Sequence, residues 1–158
     1  MAHISVPAVL EPAYDGEMDV QVIEIAEPDT PVPTNHIRTT QNWRVHVEWK
    51  MRGALAAFLV DEFRLRAFLE SIGPGAELAL PIAGPLVVST MAGALSFPGG
   101  IATRTYAADI NVPAGTVPAG VYKLVTTLQL HDDAPPGAPY PIAGMVEGPF
   151  LNFFNPGP

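Results

Sequence analysis

The sequence predicts an all-β protein built as a single antiparallel β-sandwich. Across residues 42–51, apolar side chains alternate strictly with polar ones, which is the period of a strand that buries one face. Eighteen prolines and fourteen glycines separate many short apolar runs, as the turns of a sandwich require. With 158 residues, the chain has the usual size of one domain and can bury a sufficient core.

Composition excludes several classes of function. The chain has no cysteine, so disulfides and thiolate chemistry are excluded. A net charge of −8 argues against nucleic acid and against anionic membrane surfaces as partners. No apolar run approaches the ~20 residues of a membrane span, so no membrane insertion is expected. The first residues lack the basic and apolar regions of a signal peptide, which together with the missing cysteines favours a cytoplasmic location.

Residues 1–35 are expected to form an extended, acidic, proline-rich arm outside a sandwich domain of residues 36–158. The run VQVIEI at residues 20–25 predicts one strand in this arm, and Pro28, Pro31 and Pro33 favour an extended linker after it. Residues 36–66 carry six bases against three acids, so this stretch complements the arm in charge. The arm itself has no Lys or Arg and carries seven acids: Glu11, Asp15, Glu17, Asp19, Glu24, Glu27 and Asp29.

Residues 54–72 fit two interpretations. Leu65, Phe68, Leu69 and Ile72 have helical spacing, whereas Phe63, Leu65, Ala67 and Leu69 give a strand with Arg64 and Arg66 on its outer face. We favour strands because the neighbouring elements are all β, with Asp61 turning the chain after a strand at residues 58–60. Further strands are predicted at residues 77–80, 86–91, 104–112, 120–131 and 142–154.

Residues 110–130, INVPAGTVPAGVYKLVTTLQL, resemble the E–F corner of immunoglobulin-like sandwiches. Gly120, Tyr122 and Leu124 match the Gly-x-Tyr-x-Leu start of strand F in that family. The resemblance implies an immunoglobulin-like β-sandwich in which Trp43 lies on the B-type strand. It also implies that the Tyr122 hydroxyl bonds to the main chain between residues 114 and 119. The B–F cysteine pair of the family is missing, and no activity follows from the fold.

No group of residues in the sequence predicts catalysis. No serine lies in a G-x-S-x-G elbow. His46 and Glu48 share the outer face of one strand and His131-Asp132-Asp133 ends another, so the two groups could meet and bind zinc or calcium. We favour solvated strand and turn residues instead, since each region holds only one histidine. The expectation is a non-enzymatic protein with no cofactor and no metal.

Both ends of the chain point to contact with other protein. In the tail GPFLNFFNPGP, the neighbours Phe153 and Phe154 cannot be buried on the same side of one strand, so one of them faces away from the core. The candidate interface residues in the arm, on the strand with Arg64 and Arg66, and in the tail are Ile4, Val6, Val9, Leu10, Phe68, Phe150, Phe153 and Phe154.

These features predict a structural or assembly subunit that self-associates as a homo-oligomer, or decorates a larger protein assembly, through its arm and aromatic tail. One alternative is a recruitment module that acts as a monomer or dimer, with the arm folded onto its own domain. A second alternative is a β-sandwich that binds a carbohydrate or a small molecule. Oligomeric mass separates the first two functions, and a concave pocket would favour the third.

Overall fold

Two β-sheets contain most of the chain. The computed structural model describes residues 1–26 and 30–158. Sheet A consists of β1 (Ala2–Ile4), β2 (Asp15–Ala26), β3 (Thr30–Pro33), β5 (Asn42–Arg52), β9 (Ala94–Ser96) and β10 (Thr103–Val112). Sheet B consists of β4 (His36–Arg38), β6 (Glu62–Ser71), β7 (Leu78–Leu80), β8 (Leu86–Ser89), β11 (Gly120–His131) and β12 (Pro139–Phe154). The helical elements are α1 (Ala54–Phe58) and a 3₁₀ turn (Pro98–Gly100).

The strand order confirms the predicted all-β architecture. In sheet A the order is β1-β2-β5-β10-β9, with β3 also paired to β2. In sheet B it is β4-β12-β11-β6-β7, with β8 also paired to β6. Neighbouring strands run antiparallel except β4 and β12. No helix in the described part of the chain has the length and hydropathy needed to cross a membrane.

The core lies between the sheets because the long strands alternate. On β5, the side chains of Trp43, Val45, Val47 and Trp49 are buried, as the sequence predicts, and Met51 is buried as well. The Trp43 ring meets the Phe153 ring of β12 edge-on, with centroids 5.2 Å apart. The Trp49 ring stacks on Tyr106 of β10 at 4.9 Å and meets Phe63 of β6 edge-on at 5.6 Å. The two tryptophans thus connect the sheets at two points along β5.

The N-terminal residues belong to the sandwich instead of forming an arm outside it. β2 pairs with β5 from Asp15↔Arg52 to Ile25↔Asn42, which covers one edge of β5. Ile4 and Val6 are buried in the core. Between them, Ser5 exchanges two main-chain hydrogen bonds with Ala143 of β12, at 2.7 and 3.1 Å. The N-terminal segment therefore connects both sheets. Residues before position 35 pack in the same core as the rest of the chain, so no domain boundary lies there.

The predicted charge complementarity exists, but inside one chain. Arg52 donates to Asp15 at 3.0 Å, and Lys50 pairs with Glu17. Glu24 is buried and accepts hydrogen bonds from the main-chain N–H and the Nε of Arg38, at 2.9 and 3.2 Å. These acids therefore hold β2 to its neighbours. Pro28, Glu27 and Asp29 lie outside the described residues.

Residues 54–72 divide into a helical turn and a strand. The strand interpretation is confirmed for β6, where Phe63, Leu65, Ala67 and Leu69 are buried. The strand predicted at residues 58–60 is wrong, since residues 54–58 form α1. Ala and Leu favour a helical turn. The buried Arg104 side chain also donates to the carbonyls of Ala56 and Ala57, at 2.7 and 3.2 Å, and so satisfies the end of the turn.

Tyr122 has the hydrogen bond that the sequence predicts for it. Its ring is buried, and its hydroxyl donates to the carbonyl of Pro118 at 3.2 Å. The acceptor lies within the predicted window of residues 114–119, so the loop before β11 is tied to the start of that strand.

Replacing Tyr122 by Phe should lower the free energy of unfolding by about 0.5–1.5 kcal/mol, because the variant loses one partly buried hydrogen bond and keeps the ring. Urea denaturation measures this difference. Tyr140→Phe is the matched control. Tyr140 is 37% exposed, so the loss of its hydroxyl should change stability little. Equal losses for the two variants would contradict a stabilising role for the Tyr122 hydroxyl.

Candidate functional site

The outer surface of sheet B carries several large apolar side chains, and we call the surface that they form the tail face. Leu151 and Phe153 of β12 are buried, so the alternation of the strand turns Phe150 and Phe154 outward. The prediction that one of the two neighbouring tail phenylalanines faces away from the core is therefore confirmed. The tail face consists of the outward apolar residues of β6, β11 and β12: Phe68, Val121, Val125, Met145, Phe150 and Phe154.

Strand register brings the residues of the tail face together. Phe68 lies directly opposite Val125, and Val125 lies opposite Glu147. Val125 points outward but is only 9% exposed, since its cross-strand neighbours cover it. Phe150 is opposite Lys123 and is 60% exposed, while Met145 on the same strand is 53% exposed. The most exposed part of the tail face thus runs along β12.

Charges of both signs lie among these apolar residues. Lys123 Nζ donates to Glu147 Oε2 at 2.6 Å, and this hydrogen bond raises the pKa of Lys123 above its ordinary value. Arg64 and Glu62 form a second pair at 2.7 Å. On β6, Arg66 lies between Arg64 and Phe68. Its Nε is buried without a hydrogen-bond partner among the described residues. A surface with apolar side chains and charges of both signs can bind a partner that also carries positive and negative side chains.

The outer surface of sheet A, which we call the ladder face, is different. It carries rows of paired charges, including Asp15 with Arg52 and Glu17 with Lys50. His46 Nδ1 lies 2.6 Å from Asp109 Oδ1. Partial burial lowers the pKa of His46, but hydrogen bonds with Asp109 and Glu48 outweigh it and raise the pKa above its ordinary value. The ladder face is therefore polar, and most of its charged side chains pair with one another.

The histidine groups considered for a metal site do not meet. His46 shares its outer face with Glu48, as predicted, but it lies on sheet A. His131 lies at the end of β11 in sheet B, where its Nδ1 is 2.8 Å from the carbonyl oxygen of Gly137. The two histidines therefore belong to different sheets and share no site.

Three carboxylates among the described residues form a cluster that could hold a metal ion. One oxygen each of Asp61, Asp132 and Asp133 lies within 4.8 Å of the others. Carboxylate oxygens are the ligands that calcium prefers. Asp61 precedes β6 and Asp132 follows β11, and Glu62 is the register partner of His131, so antiparallel pairing brings these turns together. The sequence places these carboxylates in separate turns, and only the register of β6 with β11 brings them together.

Asp61 is the most buried member of the cluster, at 7% exposure. Burial raises the pKa of Asp61. The main-chain N–H of Asp133 opposes this effect by hydrogen bonding, whereas the charges of Asp132, Asp133 and Glu62 raise the pKa further. The folded protein therefore disfavours the ionised form of this side chain.

The candidate interface residues divide into three groups. Phe68 on β6 and Phe150 and Phe154 on β12 all point outward on the tail face, and β11 lies between the two strands. Leu10 is half-buried against the core, and Val9 is 84% exposed in the turn before β2. The remaining residues, which the sequence predicts at an interface, lie instead in the core between the two sheets of their own chain: Ile4, Val6 and Phe153.

Comparison with known proteins transfers no function to this chain. No model of a known protein family matches the sequence, and no curated protein matches it. Within the described residues, no hydrogen bond joins a serine to a histidine. Of the two sheet faces, the tail face is the one with large exposed apolar side chains, and we take it as the candidate site.

Asp61→Asn should raise the free energy of unfolding at neutral pH. A carboxyl whose pKa is higher in the folded state than in the unfolded state loses stability once pH exceeds its ordinary value of ~3.9. Asn removes that penalty and can still accept the hydrogen bond from Asp133. At about pH 3 the gain should disappear, because Asp61 is then protonated in both states.

Urea denaturation at both pH values measures the effect. Asp109→Asn serves as the comparison, since it removes a carboxylate that pairs with Arg44 and His46 and should lower stability at neutral pH. A loss of stability for Asp61→Asn at neutral pH would contradict the burial of an unfavourable charge at this position.

Proposed function

We propose that this protein is a non-enzymatic structural or assembly subunit that self-associates through its tail face. The observation that carries the proposal is the contrast between the two outer surfaces. Sheet A presents paired charges, while sheet B presents Met145, Phe150 and Phe154, each at least 39% exposed. Large apolar side chains gathered on one face, with polar groups beside them, are typical of a protein interface.

The exposed area is of the size that a stable contact needs. Val121, Met145, Phe150 and Phe154 together expose roughly 350 Å² of apolar surface, from their exposed fractions and ordinary side-chain areas. A standard interface buries about 800 Å² on each partner, of which about 450 Å² is apolar. The tail face alone therefore supplies most of the apolar area that one partner contributes.

Assembly through the sheet edges is less favourable. The strands that end the two sheets are three or four residues long: β1, β3 and β9 in sheet A, and β4, β7 and β8 in sheet B. These strands cover only part of their neighbours, since β9 pairs with Thr103–Thr105 of β10 and β4 pairs with Asn152–Phe154 of β12. Main-chain pairing at such an edge would leave the outward phenylalanines in water, whereas contact through the tail face buries them.

A second copy of the chain is the partner that fits. Lys123 and Glu147 bring both signs of charge to the tail face, so two such faces can meet around a two-fold axis and exchange these partners. Docking the tail face on a ladder face would instead press phenylalanines against more charged pairs, since the ladder face carries the pairs of Arg44, His46, Lys50 and Arg52, and it would remove those charges from water at a cost. The expected product is a homo-oligomer with a face-to-face contact.

We also propose that the sandwich is immunoglobulin-like. The order β2-β5-β10-β9 in sheet A corresponds to strands A-B-E-D, and β12-β11-β6 in sheet B corresponds to G-F-C. The hydrogen bond of Tyr122 near the start of β11 supports this assignment, since a tyrosine corner belongs at the start of strand F. Because such sandwiches serve many functions, this assignment adds no activity.

The association proposal predicts that Phe150→Glu lowers the particle mass measured by size-exclusion chromatography with light scattering. The wild-type chain should run as a multiple of its 16.8 kDa mass, and the variant as a smaller particle with unchanged circular dichroism. A carboxylate in the middle of an apolar contact is desolvated without a partner, which opposes association.

Asn111→Glu is the matched control for Phe150→Glu. It makes the same change in net charge, but Asn111 is exposed on the ladder face opposite Arg44. The control should keep the wild-type mass. A wild-type protein that runs at 16.8 kDa at working concentration would overturn self-association and favour a recruitment module that binds a different protein.

A further inference from the structure

Two segments far apart in sequence contain no charged residue. Residues 53–60 and residues 86–103 lack Asp, Glu, Lys, Arg and His, in a protein of net charge −8. The first segment contains α1, and the second contains β8, β9 and the 3₁₀ turn. We call the surface that they form together the uncharged edge.

One buried side chain joins the two segments. Arg104 Nε donates to the carbonyl of Ala56 at 2.7 Å, and its Nη1 donates to the carbonyl of Gly93 at the same distance. Leu95 of β9 is the register partner of Arg104 on β10. In addition, the N–H of Gly53 donates to the carbonyl of Ala102 at 2.9 Å. The N–H groups of Arg104 are thus occupied by main-chain carbonyls of both segments.

The uncharged edge exposes large apolar side chains from both segments. Their exposed fractions range from 39% to 63%, and together they leave roughly 550 Å² of apolar surface in water. The residues are Phe58, Val60, Met91, Leu95, Phe97 and Ile101.

The uncharged edge and the tail face are separate surfaces. β8 is at one side of sheet B and β9 is the last strand of sheet A, so the chain between them closes that side of the sandwich. The most exposed residues of the tail face lie on β12, which is separated from β8 by β11 and β6. One partner on each surface can therefore bind without competing for the same strands.

We propose that the uncharged edge is a second self-association surface, occupied by another copy of this chain. The apolar area exceeds the roughly 450 Å² that one side of a standard interface contributes. Neither segment brings a charge of its own to such a contact, so the acids that two copies must keep apart are those at its border: Asp61, Glu62, Asp132 and Asp133.

Two contact surfaces on each subunit give assemblies larger than a dimer, because each copy binds one neighbour through the tail face and another through the uncharged edge. Contact through the uncharged edge does not require contact through the tail face. Variants in each surface therefore test the two proposals separately.

Sedimentation velocity of three variants tests this arrangement. The variants are Phe97→Glu in the uncharged edge, Phe150→Glu in the tail face, and the double variant. The wild type should exceed a dimer, each single variant should stop at a dimer, and the double variant should be a 16.8 kDa monomer. Phe58→Glu is a second edge variant, on α1, and should behave as Phe97→Glu does. Asn111→Glu should keep the wild-type mass, and circular dichroism should show that every variant folds.

Edge variants that keep the wild-type mass would overturn the edge contact, whatever the result for Phe150→Glu. A wild-type dimer that only edge variants dissociate would support the edge contact and overturn the tail face. Phe97 and Ile101 flank the hairpin turn between β9 and β10, so co-sedimentation with neutral phosphatidylcholine vesicles is the third arm. Vesicle binding that is lost in Phe97→Glu, without any change of mass in solution, would overturn the self-contact in favour of a lipid surface.

Discussion

The rest of the structure depends on the contacts that Trp43 and Trp49 make from β5 to sheet B. Trp43 meets Phe153 near one end of β5, and Trp49 meets Phe63 near the other. Large aromatic side chains in such edge-on pairs contribute beyond their buried area. Because β12 alternates, burying Phe153 against Trp43 turns Phe154 outward. The same alternation on β5 turns its charged residues toward solvent and creates the ladder face. The contrast between the two outer surfaces is therefore a consequence of how the core is closed.

Most of the fold could be predicted from alternation alone. The pattern of β5, the buried side of β6 and the outward tail phenylalanines all follow from a period of two, and they are confirmed. The strand predicted at residues 20–25 is confirmed as part of β2, but its pairing with β5 does not follow from the sequence, because outward residues such as Asp15, Glu17 and Asp19 are typical of a solvated arm. Their partners on β5 lie far along the chain, so nothing local indicates the pairing. α1 was missed for a similar reason, since the Arg104 side chain that satisfies its carbonyls is 48 residues from Ala56.

The candidate surfaces needed tertiary information to different degrees. Phe68 and Phe150 could be assigned outward from their own strands, but only the register through β11 places them on one face. The carboxylates of Asp61 and Asp132 come together only because β6 and β11 are antiparallel neighbours. The uncharged edge is visible in the sequence as two segments without charge, and the structure adds that they meet around Arg104. In each case the sequence indicates whether a side chain points inward or outward. The pairing of distant strands determines which other side chains are its neighbours.

Solvent access at single positions tests most directly whether subunits meet through the tail face. The chain contains no cysteine, so one introduced thiol is the only reactive thiol in the protein. Met145→Cys places it on the tail face, and Asn111→Cys places it on the ladder face. Alkylation rates would be measured in dilute and in concentrated protein. Our account predicts that the thiol at position 145 reacts several-fold more slowly in concentrated protein, while the thiol at position 111 reacts at the same rate in both. Equal rates at position 145, or slower reaction at position 111, would contradict it.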